Sequence, residues 1–149
     1  MSEQTVTMRY RMSSRDEFYG GGVVNGARSI TYMGDTADRL MAKVCGNTGR
    51  CCLVEKIRLY NPVFAGDYME FIARVTKTEG NKVYIQCRSF KVATPAKRLR
   101  IEGAKDGDMY YFDEPKLITE GNVILVVKKQ LQRGVQPDGT VKDPWKAID

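Results

Sequence analysis

The stretch "YGGGVVNGARSITYMGDTADRLMAKV", residues 19–44, contains the features that decide the fold. Within it, apolar and small residues recur at spacings of three and four, the period of an amphipathic helix. These residues are Ala27, Ile30, Gly34, Ala37, Met41 and Val44. The period predicts one long helix from about Val24 to Val44, whose stripe of small residues would let a flat sheet approach its backbone closely.

On both sides of this segment the apolar residues alternate with polar ones, which predicts strands. The alternation occurs in "TVTMRYRMS" (5–13), "CCLVEKIRLY" (51–60), "YMEFIARVTK" (68–77) and "KVYIQCRSFKV" (82–92), and "GNVILVVKK" (121–129) resembles a buried final strand. Gly80 and Asn81 form a plausible hairpin turn. This order predicts an α+β protein in which an antiparallel sheet wraps around one long central helix, the hotdog layout.

The length of 149 residues suits one domain, and we expect a single hotdog domain over 1–149. Residues 94–113 are polar and mixed in charge, which predicts an insertion, and 130–149 are expected to form a C-terminal tail. The first residues lack the pattern of a secretory signal, and no apolar run is long enough to cross a bilayer. We therefore expect a cytoplasmic protein with no membrane partner.

The chain contains no histidine, which removes every mechanism that needs an imidazole. A general base must then be a carboxylate, a lysine, a tyrosine or a perturbed cysteine. The four cysteines show no C-x-x-C spacing, so we expect reduced thiols and no metal site. The net charge of +6 suits an anionic partner, but no run of five like charges predicts a nucleic-acid-binding arm.

The glycines at 20–22 stand just before the predicted helix. They nearly match the G-x-G-x-x-G dinucleotide fingerprint, but the third glycine is absent and no further helices could complete a doubly wound sheet. One interpretation is that missing side chains let a carbonyl oxygen approach the unpaired N–H groups at the helix start. The other is that glycine only permits a turn with positive φ.

Three pieces of the chain resemble the hotdog-fold ammonia lyases that act on β-aminoacyl-CoA thioesters. They are "SSRDEFYGGGVVNGARSITYMGDTADRLM" (13–41), "NPVFAGDYMEF" (61–71) and "SFKVA" (89–93), and the resemblance returns at "DEP" (113–115) and "KKQLQRG" (128–134). Phe18 and Gly22 depart from the family pattern, in which histidine and asparagine are usual. The resemblance implies a homodimer with its sites at the interface, and a further assembly into a hexamer as a trimer of dimers is also expected.

The implied reaction removes ammonia from a 3-aminobutyryl-CoA or β-alanyl-CoA type thioester and needs no cofactor other than the CoA of the substrate. A base must take the α-proton while hydrogen bonds stabilise the enolate oxygen. Asp35 is the first choice for the base, because aspartate is a poor helix former and related hotdog thioesterases place an acid there. An exposed ion pair between Asp35 and Arg39 is the competing explanation.

Further candidates follow from the same chemistry. Glu114 and Tyr19 are expected as additional catalytic groups. Gly21, Gly22 and Val23 are expected to form the oxyanion site, with Asn25 and Asp67 contacting the substrate. Possible partners for the CoA phosphates are Arg28, Lys91, Lys97, Arg98 and Lys129.

Two other functions fit the same scaffold: an acyl-CoA thioesterase in which Asp35 activates water, and a non-catalytic acyl-CoA sensor. An R-specific enoyl-CoA hydratase normally relies on an Asp-His pair, which this chain cannot supply.

Overall fold

A computed structural model describes residues 4–13, 17–19, 22–128, 134–135 and 141–142. Its elements in chain order are β1 (Thr5–Arg11), β2 (Glu17–Tyr19), β3 (Val23–Val24), α1 (Gly26–Cys45), β4 (Arg50–Leu59), β5 (Tyr68–Glu79), β6 (Lys82–Pro95), a 3₁₀ helix (Ala96–Leu99), β7 (Met109–Val126), β8 (Gly134–Val135) and β9 (Val141–Lys142). The predicted helix and main strands are all present. The short strands β2, β3, β8 and β9 were not predicted.

The main sheet has five antiparallel strands in the order β1-β5-β6-β7-β4. Strands β5 and β6 form a hairpin through the predicted turn, where Gly80 adopts a φ of 61° and Glu79 pairs with Lys82. Strands β1 and β4, which flank α1 in sequence, occupy the two edges. The helix lies across β1, β5, β6 and β7. This is the α+β hotdog architecture that the sequence predicts.

The face of α1 that contacts the sheet differs from the predicted small-residue stripe. The buried helix residues are Ser29, Met33, Thr36, Ala37, Leu40, Met41, Val44 and Cys45. Of the predicted stripe, Ala37, Met41 and Val44 are buried, whereas Ala27 is exposed and a Cβ at Gly34 would meet no atom within 4 Å. Larger side chains fill the interface instead, because packing against the sheet buries most apolar area through Met and Leu.

Strand β4 departs from the simple alternation predicted for it. Lys56 adopts a φ of 55°, and the pairing with β7 shifts between Glu55 and Arg58. The shift turns Ile57 toward the core, where it packs above Gly121 of β7. A Cβ on Gly121 would collide with the end of the Ile57 side chain, so the glycine lets Ile57 lie directly over β7.

Strands β6 and β7 extend into the two ends of the predicted insertion 94–113, and residues 96–108 connect them. Thr94 and Pro95 still belong to β6 and pair with Tyr110 and Met109 at the start of β7. In this part of the hairpin Ala93 and Thr94 of β6 are buried, whereas the start of β7 is mostly exposed. The exposed strand tolerates polar residues at successive positions, so the alternation is weak in its sequence.

In the described part of the chain, no helix is long and apolar enough to cross a membrane.

Candidate functional site

A cavity of about 320 Å³ opens beside the N-terminal end of α1. We call it the Ser29 cavity, because Ser29 is its most buried helix residue. Its walls come from the start of the helix, the segment after β4 and the middle of β7. The lining residues are Val24, Gly26, Ser29, Leu59, Tyr60, Asn61, Pro62, Val63, Ile118 and Thr119. A small, mostly apolar cavity with a few polar groups is typical of a ligand site.

The outer wall of the cavity is the segment 60–67, which we call the wall loop. The Tyr60 N–H donates to the Ile118 carbonyl (2.7 Å), and the Asn61 side chain donates to the Leu117 carbonyl (2.9 Å). On the other side, Val24 N–H donates to the Val63 carbonyl (2.8 Å). These bonds tie the wall loop to both β7 and β3.

A buried ion pair holds the far end of the wall loop. Asp67 is fully buried, and its carboxylate accepts hydrogen bonds from the Phe64 N–H (2.8 Å) and the Thr94 hydroxyl (2.6 Å). Lys91 Nζ lies 3.0 Å from Asp67 Oδ2 and donates to the Pro62 carbonyl (2.9 Å). These bonds favour structural roles for both residues over contact with the substrate ammonium or a CoA phosphate.

The helix begins later than predicted, at Gly26, and β3 separates it from the glycines. Gly22 has a φ of 81°, and its carbonyl accepts a hydrogen bond from Ala65 N–H (2.8 Å). This geometry supports the turn interpretation for Gly22. Val23 forms an isolated bridge with Phe64, so both residues fasten the chain to the wall loop instead of supplying the first turn of the helix.

Asn25 caps the helix. Its backbone is extended, and its Oδ1 accepts a hydrogen bond from the Ala27 N–H at 3.0 Å. An asparagine at this position satisfies one of the unpaired donors of the first turn. The predicted contact between Asn25 and substrate therefore competes with its capping role.

Asp35 lies on the outer side of α1, exposed and turned away from the sheet. The competing ion pair with Arg39 is not found among the described residues. Instead, Arg39 Nη1 donates to the Thr7 carbonyl of β1 (3.3 Å). Burial, followed by the charge of Asp35, raises the pKa of Asp38. The same two causes raise the pKa of Tyr10, against a smaller opposing effect of Arg39. Asp35 is thus the most accessible member of an acidic group on this side of the helix.

The remaining predicted residues are spread more widely. Lys97 pairs with Asp106 (2.6 Å), Arg98 lies over the Phe64 ring at 4.0 Å, and Glu114 and Arg28 are exposed. Arg98 is therefore, with Lys91, a candidate CoA-binding residue that contacts the wall loop. Gly21, Lys129 and the side chain of Tyr19 lie outside the described residues.

The cysteines offer no activated nucleophile in the core. All four thiols are free, and Cys45 and Cys87 are buried. Burial raises the pKa of Cys45 to about 11 and that of Cys87 to about 12. A thiol becomes a good nucleophile when its pKa falls, so these two are inert.

Sequence reasoning missed Ser29. The signal was available, because Ser29 stands four residues before Met33 and in register with the buried face that continues through Leu40 and Val44. A serine in an apolar stripe calls for a hydrogen-bond partner or a ligand.

Comparison with known proteins identifies the family. No family model matches the chain. A curated protein, the 3-aminobutyryl-CoA ammonia lyase of Acetoanaerobium sticklandii, is 32% identical over 129 residues, which are 85% of this chain and 96% of the relative. The chain belongs to the β-aminoacyl-CoA ammonia lyase family.

Solved structures agree with this membership. The β-alanyl-CoA:ammonia lyase of Clostridium propionicum superposes with a TM-score of 0.82 at 27% identity and covers 95% of this chain and 100% of its own. An acyl-CoA hydrolase of Staphylococcus aureus, solved with butyryl coenzyme A, gives a TM-score of 0.64 at 11% identity over 89% of this chain and 68% of its own. A hexameric thioesterase of Yersinia pestis gives 0.62 at 14% identity over 83% and 87%. The last two likenesses are of fold alone, whereas the two lyases confirm the family predicted from sequence.

Proposed function

We propose that the protein is a carbon-nitrogen lyase that eliminates ammonia from a 3-aminobutyryl-CoA or β-alanyl-CoA type thioester to give the 2-enoyl-CoA. The observation that carries this proposal is the 32% identity to the 3-aminobutyryl-CoA ammonia lyase over nearly the whole of that relative. The thioesterase alternative rests on neighbours of 11% and 14% identity, which share only the fold.

The chemistry requires a base for the proton on C2. We assign it to the Asp35 carboxylate, because the chain has no histidine and this carboxylate is exposed to an approaching substrate. As the C2–H bond breaks, its electron pair moves toward the thioester oxygen as an enolate. Collapse of the enolate forms the C2–C3 double bond and expels the amine as ammonia, which needs no added proton when the substrate amine is bound as ammonium.

The helix geometry constrains where the base acts. Six residues separate Ser29 from Asp35, which corresponds to about 9 Å along the helix and about 120° around it. Asp35 therefore points away from the cavity of its own protomer. We infer that Asp35 acts on a substrate held by the other protomer of a homodimer.

Strand β4 supports such a dimer. It forms one edge of the sheet, and its Leu53 and Val54 are 46% and 43% exposed. A long apolar edge strand is a template for pairing with another strand. Antiparallel pairing of two β4 strands around a twofold axis would cover both edges and extend the sheet through both protomers. From the family resemblance we further propose that three such dimers assemble into a hexamer.

Reaction in the reverse direction tests the proposed function. The protein is incubated with crotonyl-CoA or acryloyl-CoA and ammonium, and the CoA species are followed by mass spectrometry. We expect a product heavier than the enoyl-CoA by one ammonia, with the thioester intact. Release of free CoA without amination would favour the thioesterase, and tight binding without any turnover would favour the acyl-CoA sensor.

A further inference from the structure

The outer edge of β1 carries backbone groups that point away from the sheet. In an antiparallel strand the N–H and C=O of one residue face the same side, and successive residues alternate between the two sides. Gln4 faces β5, because its carbonyl accepts a hydrogen bond from the Val75 N–H (3.1 Å). Thr5, Thr7 and Arg9 therefore face outward. Their backbone groups form a row with which another strand could pair.

Two cations of α1 bind the carbonyls of this row. Arg39 Nη1 donates to the Thr7 carbonyl (3.3 Å), and Lys43 Nζ donates to the Thr5 carbonyl (3.2 Å). The spacings match, because four residues of helix span about 6 Å and two residues of strand span about 7 Å. A strand that paired with β1 would have to break both hydrogen bonds and desolvate two charged groups, which is costly.

The sequence of β1 itself does not prevent pairing with a second copy. The strand "TVTMRYR" contains no proline, and its β-branched and aromatic residues favour strands. When two copies are placed antiparallel around a twofold axis at Met8, Arg9 of one copy lies opposite Thr7 of the other, and Arg11 lies opposite Thr5. Because no arginine then faces an arginine directly, repulsion within the strand pair does not exclude this arrangement.

We propose that the edge of β1 is a pairing surface for the β1 strand of a second copy of this chain, and that Arg39 and Lys43 keep it closed. The inference does not depend on the reaction that the protein catalyses. The other edge of the sheet is β4, through which the proposed dimer forms. Pairing at β1 as well would join dimers into an open chain, because every dimer has two β1 edges. The two cations thus restrict the protein to closed assemblies.

The first test removes both cations. Methionine is an unbranched residue that favours helices, so the double variant Arg39→Met/Lys43→Met loses the two donors without weakening α1. In sedimentation velocity we expect it to form species of about twice the wild-type mass or more, in a proportion that rises with protein concentration. The control Lys82→Met/Lys105→Met loses the same charge from two exposed lysines outside α1 and should keep the wild-type mass.

Two outcomes of this test would overturn the proposal. One is a double variant that keeps the wild-type mass, and the other is a control that enlarges to the same extent. Arg39→Lys/Lys43→Arg exchanges the two cations and preserves both positive charges at the edge. We expect this variant to keep the wild-type mass.

The second test distinguishes strand pairing from general aggregation. Thr7→Pro removes an N–H that points away from β5, so the β1–β5 hydrogen bonds remain while pairing on the outer side is blocked. Added to Arg39→Met/Lys43→Met, it should restore the wild-type mass. Large species that persist in the triple variant would show association through unfolded chains or another surface, and would refute the role of the β1 edge.

Discussion

Lys91 and Asp67 form a buried ion pair, with Lys91 Nζ 3.0 Å from Asp67 Oδ2 and the lysine ammonium also bonded to the Pro62 carbonyl. The pair joins β6 to the wall loop, and Pro62 lines the cavity. Lys91 and Asp67, which the sequence suggested as ligand contacts, thus hold the wall loop that lines the cavity.

Removing one partner of this pair should destabilise the fold. Lys91→Met leaves the Asp67 carboxylate buried without its cation, and breaking a buried pair costs about 3–5 kcal/mol. We expect a loss of that size in the free energy of unfolding measured with urea. The matched control is Lys97→Met, whose exposed pair with Asp106 should contribute nothing measurable. Equal losses in the two variants would contradict the structural role of Lys91.

The base assignment predicts separate effects on activity and stability. Asp35→Asn keeps the size of the side chain but removes the proton acceptor, so kcat for elimination should fall roughly 100-fold or more, with CoA affinity and Tm nearly unchanged. Asp38→Asn serves as the control on the same side of the helix and should retain turnover. A near-normal kcat in Asp35→Asn would show that another group is the base, and Glu114 and Tyr19 would be tested next.

Asp38 should give a pH-dependent stability difference. Burial and the neighbouring Asp35 raise its pKa above the ordinary value of 3.8. A raised pKa means that the folded state binds the Asp38 proton more tightly than the unfolded state, so protonation of Asp38 stabilises the fold. This stabilisation is complete below pH 3.8 and is lost as the pH rises through the raised pKa. Asp38→Asn should therefore have a higher Tm than the wild type at pH 7, and the difference should vanish in acid. A Tm difference that grows as the pH falls would instead show that folding stabilises the charged Asp38 carboxylate.

The proposed dimer depends on the exposed edge of β4. Leu53→Lys places a charge in a strand that would pair with its copy, which natural edge strands use to block such pairing. We expect sedimentation velocity to give a dimer for the wild type and a monomer for Leu53→Lys, with loss of turnover. Tyr111→Lys is the control, because Tyr111 is 66% exposed on the distant β6–β7 extension. A monomeric and fully active wild type would refute the role of the partner's Asp35.

The sequence predicts the individual helix and strands well and the contacts between distant segments poorly. The period of two locates β5 and β6, whose register buries Met69 and Phe71. The period near 3.6 locates α1 but gives only part of its buried face: Ala37 and Met41 are buried as predicted, whereas Met33 and Leu40 were not included. Which side of a helix is buried depends on the surface that it packs against, and the periodicity of the sequence does not reveal that surface.

The candidate site was harder to predict for the same reason. The cavity is built from three segments that are distant in sequence: the start of α1, the wall loop and residues 118–119 of β7. Lys91 was predicted to contact a CoA phosphate, because its pairing with Asp67 depends on the register of β5 and β6, which the sequence does not reveal.

The most direct test of the central claim is the product stoichiometry with 3-aminobutyryl-CoA as substrate. Ammonia, 2-enoyl-CoA and free thiol are measured in the same reaction over time. The account predicts equal amounts of ammonia and 2-enoyl-CoA with no free thiol. Free thiol appearing without ammonia would show hydrolysis of the thioester and would contradict the assignment of this protein as an ammonia lyase.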